Sequence, residues 1–363
     1  MEEKNYLVLA RKYRPKKLSH LIGQDEIRVI IEGALSSNRL AHAYLLSGTR
    51  GIGKTTLARI ISKAVNCTAN QENKTLDPCG NCEACISIEK ESNIDVIELD
   101  AASRTGINDV REIIENVSYK PVSAKKKVYI IDEAHMLSKS AFNALLKTLE
   151  EPPEGVLFLL ATTETEKIPI TIKSRCQHFE LKRIPTQLLT QHIINISKLE
   201  KFECDQDSAK IIARSSEGSV RDALSILDNV LARGKKITKE ITRDVLGLSD
   251  PEKNIRLFDF ICRGNVEEAL KEVESLNKDG ASFKQLTKEL IRIFYYVGRM
   301  KSEFDEAELG ITEFEMKVFK NFSELLDMDI IIRFWELGQK YYTEIDNTFD
   351  QKQCFEMIVI RLC

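Results

Sequence analysis

The sequence lacks any apolar run approaching the roughly 20 residues that a membrane-spanning helix requires. Its first residues, Met1–Asn5, lack the charged and then apolar pattern of a secretory signal. The formal net charge of −3 over 363 residues is too small to draw the whole chain onto nucleic acid or an anionic membrane. We therefore expect a cytoplasmic protein without a membrane partner, in which any nucleic-acid contact comes from a local patch or from assembly with other subunits.

The sequence also lacks the paired cysteines of a disulfide-stapled secreted domain. Nine cysteines are present, an odd number, and five of them stand singly along the chain: Cys176, Cys204, Cys262, Cys354 and Cys363. That scatter indicates a reducing compartment. A hydrophobic content of 43% and a charged content of 30% are typical of globular proteins, and the length allows two or three domains.

The other four cysteines form a cluster with eleven, two and two residues between them: Cys67, Cys79, Cys82 and Cys85. Thiolates two residues apart in a turn can converge on one ion, and four of them complete a closed tetrahedral Zn²⁺ site. An iron–sulfur cluster would require a further cysteine soon after Cys85, and residues 86–88 contain none. We therefore expect a structural zinc module at residues 67–85.

The first half of the chain alternates short apolar runs with helical patterns. The runs that we predict to be strands are Ala43–Ser47, Asp95–Leu99, Val128–Ile131, Val156–Ala161 and Gln177–Leu181. Most are separated by stretches long enough for a crossover helix, which predicts a mainly parallel sheet covered on both faces. Two of the runs are apolar without alternation, as expected for strands buried on both sides.

After about Arg183 the strand signals stop and helical patterns take over. A small helical unit ends near Gly247, and a second one begins at Asp250, which offers an N-cap oxygen followed by a proline at the first helical position. Asn265 opens a further amphipathic helix. Aromatic residues recur in the later helices, and we expect most of them to pack in the core. The patterns thus divide the chain at 1–183, 184–248 and 249–363.

A phosphate-binding motif follows the first predicted strand. Residues 48–55 fit the pattern glycine, four residues, Gly-Lys-Thr, and they precede a helical pattern. The glycines let backbone N–H groups curl around phosphates, Lys54 is expected to bridge the β- and γ-phosphates of ATP, and the Thr55 hydroxyl is expected to bind Mg²⁺. The residues expected against the nucleotide are Gly48, Thr49, Arg50, Gly51, Ile52, Gly53, Lys54, Thr55 and Thr56.

Two carboxylates directly follow the third predicted strand, where such sheets bind ligands. Asp132 is expected to hold Mg²⁺ through water, and Glu133 to orient and deprotonate the attacking water. The string Asp-Glu-Ala-His at 132–135 also occurs in a class of helicases. Those enzymes need a second motor domain, and nothing after residue 184 predicts a second parallel sheet, so we exclude a helicase of that class.

Beyond these motifs, the chain resembles the gamma/tau subunits of bacterial DNA polymerase III, which are clamp-loader ATPases of the AAA+ class. The resemblance rests on the four-cysteine insert and on segments spread along the chain: Arg11–Pro15, Leu21–Gln24, His42–Leu45, Asp100–Arg104, Phe142–Pro153 and Ser174–Cys176. It implies an AAA+ P-loop NTPase domain with a five-stranded parallel sheet and a zinc insert (1–183). A small helical lid (184–248) and an all-α collar for oligomerisation (249–363) follow.

The resemblance also assigns roles that spacing alone does not. It implies that Thr163 is a first sensor of the γ-phosphate, that Arg175 is an arginine finger for a neighbouring subunit's ATP, and that Arg221 is a second sensor from the lid. Judged without it, the two arginines would be ordinary surface residues. The residues implied on the adenine side are Tyr13, Arg14, Pro15, Ile22 and Gly23.

The function that the resemblance implies is an ATP-driven switch, with ATP, Mg²⁺ and Zn²⁺ as its small partners. Related subunits in a pentamer open a sliding clamp and load it on primer–template DNA at the nucleoid, and the chain has no polymerase active site of its own. DNA contacts are expected along the phosphates. The candidate segments are Ser103–Thr105 and Val110–Lys120.

Three alternatives stand beside this hypothesis. The chain could be a scaffold subunit that does not hydrolyse ATP, although Lys54, Thr55, Asp132 and Glu133 are all present. It could be a zinc-dependent nucleic-acid-binding module with a regulatory ATP site, although no basic stripe accompanies the cysteines. It could also be another AAA+ motor that remodels DNA, such as a Holliday-junction helicase subunit, which we expect to lack the zinc insert.

Overall fold

The computed structural model describes residues 6–69, 76–103, 113–234, 236–302, 311 and 313–363. These residues divide into two compact units. The first comprises the chain up to Ile196 together with Ile212–Asp228, and the second comprises Ser197–Ile211 with Asn229–Cys363. Within the described part of the chain, no helix is both long enough and apolar enough to cross a membrane.

A five-stranded parallel sheet forms the centre of the first unit. Its strands are β1 (Ala43–Ser47), β2 (Val96–Asp100), β3 (Lys127–Asp132), β4 (Val156–Thr162) and β5 (Gln177–Glu180). They lie in the order β2-β3-β4-β1-β5, and every neighbouring pair is parallel. The five strands expected from the sequence are therefore confirmed, with ends that differ by at most one residue.

Helices cover the sheet in the first unit. They are α1 (Leu9–Lys12), α2 (Asp25–Ser36), α3 (Lys54–Asn66), α4 (Glu83–Glu89), α5 (Lys139–Glu150) and α6 (Ile170–Lys173). Short 3-10 turns occur at Leu18–His20, Ala134–Met136 and Thr165–Lys167. Three helices have residues in both units: α7 (Thr186–Leu199), α8 (Gln206–Ser215) and α9 (Val220–Leu231).

Both faces of the sheet are buried, which explains why the strand sequences do not alternate with polar residues. Tyr129 and Phe158 stack on one face, with ring centroids 5.3 Å apart, in a layer that includes Leu145 of α5. Val128 and Leu157, the residues before each of them, pack on the opposite face. Successive strand residues point to opposite sides, so a strand covered on both sides needs an apolar residue at every position.

The second unit is built mainly from helices. They are α10 (Lys239–Leu246), α11 (Pro251–Cys262), α12 (Val266–Lys278), α13 (Phe283–Lys301), α14 (Glu313–Leu325), α15 (Met328–Glu344) and α16 (Gln351–Leu362). Their starts follow the expected caps: the side chain of Asp250 accepts from the N–H of Glu252 at 3.0 Å, and that of Asn265 accepts from the N–H of Glu268 at 3.3 Å. A 3-10 turn at Ile345–Asn347 follows α15.

One pair of strands was missed by the sequence analysis. The expectation that strand structure ends after about Arg183 was wrong, because β6 (Glu203–Cys204) and β7 (Lys236–Ile237) form a two-stranded parallel ladder in the second unit. Each strand has only two residues, too few to produce a periodic pattern.

Many of the later aromatic residues lie in the core of the second unit, as expected. Phe294 is fully buried between Phe258 and Phe334, with ring centroids 4.8 and 5.3 Å away. Tyr295 and Trp335 are among the exceptions, with exposed fractions of 47% and 37%.

A close helix contact in the second unit predicts the effect of a small substitution. A methyl group on Gly338 of α15 would lie 2.7 Å from Cγ1 of Ile291 in α13. We expect Gly338→Ala to lower the free energy of unfolding by about 1–3 kcal/mol, because overpacking outweighs the better helix propensity of alanine. The measurement is urea unfolding followed by circular dichroism.

The matched control is Gly33→Ala in α2, where nothing lies within 4 Å of the added methyl group. This change is expected to raise stability by about 0.5–1 kcal/mol. If both substitutions stabilise the chain, the close packing of α13 and α15 is refuted.

Candidate nucleotide site and cysteine cluster

The nucleotide-site candidates meet at the carboxyl edge of the sheet. Parallel strands end on the same side, and β1, β3 and β4 end there at Ser47, Asp132 and Thr162. The loop 48–53 joins β1 to α3 and passes over this edge. Its three glycines have positive φ angles, 139° at Gly48, 78° at Gly51 and 105° at Gly53, which L-residues rarely adopt.

Gly51 lies directly against the start of α9. Its carbonyl accepts from the Arg221 N–H at 3.2 Å, and a Cβ at Gly51 would lie 2.1 Å from the Ser219 hydroxyl oxygen. This loop position therefore requires glycine for two reasons, a left-handed backbone and the close approach of another segment.

Lys54 is a buried cation at the start of α3. Its ammonium donates to the carbonyls of Gly48 and Thr49, both at 3.0 Å, and the residue is 5% exposed. Burial lowers the pKa of Lys54, and the nearby carboxylates of Glu133 and Asp132 offset part of that shift. The ammonium is thus held inside the loop by groups that a phosphate could replace.

The two carboxylates at the end of β3 face different partners. Asp132 Oδ2 accepts from the Thr55 hydroxyl at 2.7 Å, so the two expected Mg²⁺ ligands are adjacent. Glu133 Oε2 accepts from the Thr163 hydroxyl at 3.0 Å, which brings the expected water-activating residue together with the expected first sensor. Hydroxyl and carboxylate oxygens are the ligands that Mg²⁺ prefers.

Three polar residues lie close to Glu133: His135, Thr162 and Glu164. The sequence analysis assigned no role to them. The His135 ring contacts Thr162 Oγ1 through Nδ1 at 3.1 Å and Glu164 Oε1 through Nε2 at 3.2 Å. The signal available in the sequence was the histidine two residues after Glu133. Nothing in the sequence marked Thr162 and Glu164 as its partners.

Two of the five residues expected on the adenine side make defined contacts, and the other three are described by their burial alone. Arg14 donates through Nε to Thr56 Oγ1 at 3.1 Å, and burial, followed by repulsion from Arg59, lowers the pKa of Arg14. Gly23 packs against Ile184, whose Cδ1 lies 3.0 Å from the position of an added methyl group. The remaining three candidates are half-buried: Tyr13, Pro15 and Ile22.

Gln24, next to Gly23, is a further residue that the sequence analysis did not single out for a role. It is 4% exposed, its amide donates to the Lys182 carbonyl at 2.7 Å, and its amide oxygen accepts from the Lys182 N–H at 3.2 Å. It therefore ties the segment before α2 to the chain that leaves β5.

The two arginines named by resemblance have different surroundings. The backbone N–H of Arg221 donates to the Gly51 carbonyl of the loop, and Arg221 as a whole is exposed to solvent. The Arg175 guanidinium is paired with the Glu150 carboxylate and donates to the Thr171 carbonyl at 2.6 Å. It lies just after α6, two residues beyond Lys173.

The four clustered cysteines converge as their spacing predicts. Their Sγ atoms all lie within 4.8 Å of one another. A tetrahedral site with Zn–S bonds of about 2.3 Å places its sulfurs about 3.8 Å apart, so the cluster is compatible with Zn²⁺. The cysteines come from the end of α3, the following loop and the first turn of α4: Cys67, Cys79, Cys82 and Cys85.

Backbone N–H groups point at these sulfurs, which favours thiolates. Cys79 Sγ accepts from the N–H of Asn81 at 3.4 Å and of Cys82 at 3.3 Å. Burial raises the pKa of Cys82, but hydrogen bonds from Cys85 and Thr68 outweigh that effect and lower it to about 6. Burial raises the pKa of the neighbouring Cys85 thiol.

The cysteine module is attached to the rest of the first unit by charged contacts. Asp77 Oδ1 accepts from the Leu18 N–H at 2.6 Å, and Asp77 Oδ2 accepts from the Ser19 hydroxyl at 2.6 Å. Glu89 of α4 pairs with Lys63 of α3 and, at 3.4 Å, with Lys16. Of the candidate DNA-contacting segments, residues 104, 105 and 110–112 lie outside the described residues.

Comparison with known proteins identifies relatives along the chain. Three family models match consecutive segments: "DNA polymerase III, delta subunit" at residues 23–185, "DNA polymerase III clamp loader subunit, ATPase lid domain" at 188–236, and "DNA polymerase III subunits gamma and tau domain III" at 237–363.

Three curated relatives align with most of the chain. The DNA polymerase III subunit gamma of Buchnera aphidicola subsp. Acyrthosiphon pisum is 42% identical over 300 residues, which is 82% of each chain. The subunit tau of Escherichia coli is 36% identical over 98% of this chain, and the tau/gamma subunit of Haemophilus influenzae is 42% identical over 82%. The aligned part is 55% of the E. coli relative and 43% of the Haemophilus relative, so this chain spans about half their length.

The contact at Gly51 predicts that the loop tolerates no side chain there. We expect Gly51→Ala to weaken binding of a fluorescent ATP analogue by about tenfold or more, because the methyl group collides with Ser219 and strains the loop. Equilibrium fluorescence titration measures the dissociation constant.

Gly155→Ala is the matched control. Gly155 has a similar φ of 81° and belongs to the same unit, but an added methyl group there would lie no closer than 4.0 Å to the Lys125 carbonyl. The control is expected to cost stability without changing nucleotide affinity. Equal affinity in the two variants would contradict the role assigned to Gly51.

Proposed function

Because this chain belongs to the gamma/tau subunit family of bacterial DNA polymerase III, we propose that it is an ATP-hydrolysing motor subunit of a DNA clamp loader. One observation carries the proposal most directly. The phosphate loop, the Thr55–Asp132 pair and the Glu133–Thr163 pair lie together at one edge of the sheet. A scaffold subunit without ATPase activity would have no need to keep this set assembled.

The geometry supports a division of labour at the phosphates. The loop N–H groups and the Lys54 ammonium bind the β- and γ-phosphates of ATP. Thr55 and Asp132 hold Mg²⁺, which neutralises phosphate charge when it is bound. Glu133 accepts a proton from the attacking water, and Thr163 positions the Glu133 carboxylate.

The two arginines supply positive charge from the rim of the site. Arg221 follows the loop contact at Gly51, so movement of α9 changes its distance from the phosphates. Arg175 is the finger for a neighbouring subunit's ATP, and its pairing with the exposed Glu150 is weak enough to exchange for a phosphate. Hydrolysis thereby depends on assembly.

The role proposed for the assembled complex is that of the gamma/tau family. Related subunits join through residues 249–363 into a pentamer, ATP binding draws their nucleotide domains (1–183) and lids (184–248) together, and the assembly opens a sliding clamp. Hydrolysis weakens these contacts and releases the clamp on primer–template DNA, since ATP shifts the equilibrium only by its differential affinity for the two states. The cytoplasm, at the nucleoid, is the compartment in which this substrate is found.

The cysteine module binds a structural Zn²⁺. Its donor set is four thiolates with hydrogen bonds to the sulfurs, and it contains no water position or general base that a catalytic zinc would need. A bound ion would hold the start of α4 against the C-terminal end of α3, which Cys67 caps.

The ATPase mechanism is tested with Lys54→Ala and Arg175→Ala. Each variant is assayed alone and with partner subunits, clamp and primed DNA. We expect the assembly to stimulate wild-type hydrolysis, Lys54→Ala to abolish it, and Arg175→Ala to bind ATP normally while hydrolysing it on the order of 10³-fold more slowly.

Lys173→Ala is the control for Arg175, since it removes a nearby positive charge that has no proposed role. Two results would count against the proposal. One is a wild-type rate that ignores assembly, clamp and DNA, and the other is normal stimulated hydrolysis by Arg175→Ala.

The zinc proposal is tested by metal analysis of the purified chain. We expect about one zinc per chain in the wild type, loss of the metal in Cys79→Ser and Cys82→Ser, and a lower melting temperature for both variants. Cys204→Ser, which removes a solitary half-buried thiol of the second unit, should retain the metal. Wild-type protein that contains no zinc when purified from zinc-supplemented cells would refute the assignment.

A further inference from the structure

His135 occupies an unusual position beside the candidate catalytic pair. It lies in the 3-10 turn Ala134–Met136 after β3, and its side chain is only 6% exposed. Both ring nitrogens have polar partners on the segment that ends β4, Nδ1 with Thr162 Oγ1 at 3.1 Å and Nε2 with Glu164 Oε1 at 3.2 Å. The ring therefore bridges the ends of two strands.

The contacts form a closed cycle that one set of proton positions satisfies. The Glu164 N–H donates to Thr162 Oγ1 at 3.1 Å, so the Thr162 hydroxyl is free to donate its own proton to His135 Nδ1. In this arrangement His135 carries a proton on Nε2 and donates it to the Glu164 carboxylate.

The residues held between these contacts are Glu133 and Thr163. Glu133 has a φ of 46°, a backbone conformation that a glutamate rarely adopts and that its surroundings must maintain. Its Oε2 atom accepts from the Thr163 hydroxyl at 3.0 Å and lies 3.5 Å from His135 Nδ1. Thr163 is in turn flanked by Thr162 and Glu164, the two partners of His135.

We propose that His135 is a positioning residue for ATP hydrolysis: it clamps the turn that carries Glu133 to the strand end that carries Thr163. The proposal rests on the proposed ATPase function. Any buried imidazole needs polar partners for its nitrogens, so the location of those partners is what matters. Here each nitrogen has its own partner, and both partners adjoin Thr163.

The test compares variants that remove one or both contacts. His135→Leu removes both, His135→Gln keeps an amide donor that can reach Glu164, and Thr162→Val removes the hydroxyl without changing the shape of the side chain. We expect His135→Leu to lower the stimulated kcat by about 10- to 100-fold while KM for ATP changes less than about twofold. His135→Gln should recover part of the rate.

The double variant His135→Leu/Thr162→Val tests whether the two residues act as a unit. We expect it to be no slower than His135→Leu alone, because residues in one network are not additive. Lys167→Gln is the matched control, since it removes the exposed ion pair with Glu164 at 2.8 Å and should leave kcat unchanged.

Lys54→Ala separates the two proposals. If it hydrolyses ATP like the wild type, the proposed ATPase function fails. If it is inactive while His135→Leu has the wild-type kcat, only the positioning role fails. Two further results would overturn the positioning role in favour of a packing role. One is that His135→Leu loses ATP affinity as much as it loses rate, and the other is that the losses of the two single variants add in the double variant. If His135→Leu does not fold, the kcat and KM of Thr162→Val and His135→Gln distinguish the same two roles.

Discussion

The parallel register of β1, β3 and β4 is the constraint on which the candidate site depends. Because these strands run in one direction, Ser47, Asp132 and Thr162 reach the same edge of the sheet, and the residues that follow each of them can meet there. The strands are hydrophobic at nearly every position because helices cover both faces. The same burial keeps the edge rigid enough to hold hydroxyl–carboxylate pairs near 3 Å.

The phosphate loop adds a second constraint, which connects the sheet to the helices after β5. Gly51 brings the loop against Ser219 and Arg221, and Gln24 joins the segment before α2 to Lys182. A change in the position of α9 must therefore be accommodated at the loop. Such a connection is what an ATP-driven switch requires, because binding energy has to be converted into movement of a neighbouring element.

The cysteine module resembles the cluster of His135, Thr162 and Glu164 in one respect. Each brings together side chains of a short segment whose backbone has little regular structure of its own, four sulfurs in one case and three hydrogen-bonding side chains in the other. Both adjoin elements that carry candidate catalytic residues, α3 in the first case and the turn after β3 in the second.

The sequence by itself determined the strands, the phosphate loop, the carboxylate pair and the cysteine cluster. Each has a signal confined to a few neighbouring residues: an unbroken apolar run, a glycine-rich spacing such as Gly48–Thr55, or cysteines two residues apart. The roles of Thr163, Arg175 and Arg221 came from family resemblance, because a single threonine or arginine has no spacing of its own.

Only the tertiary structure decided which distant residues meet. Glu133 and Thr163 are 30 positions apart, and His135 and Thr162 are 27 apart, yet each pair is in hydrogen-bond contact. The order of the strands creates these contacts by placing β3 beside β4, and no local pattern encodes that order. The two-residue ladder of β6 and β7 went unpredicted for the same reason, since its pairing depends on the surrounding helices and not on any periodicity within two residues.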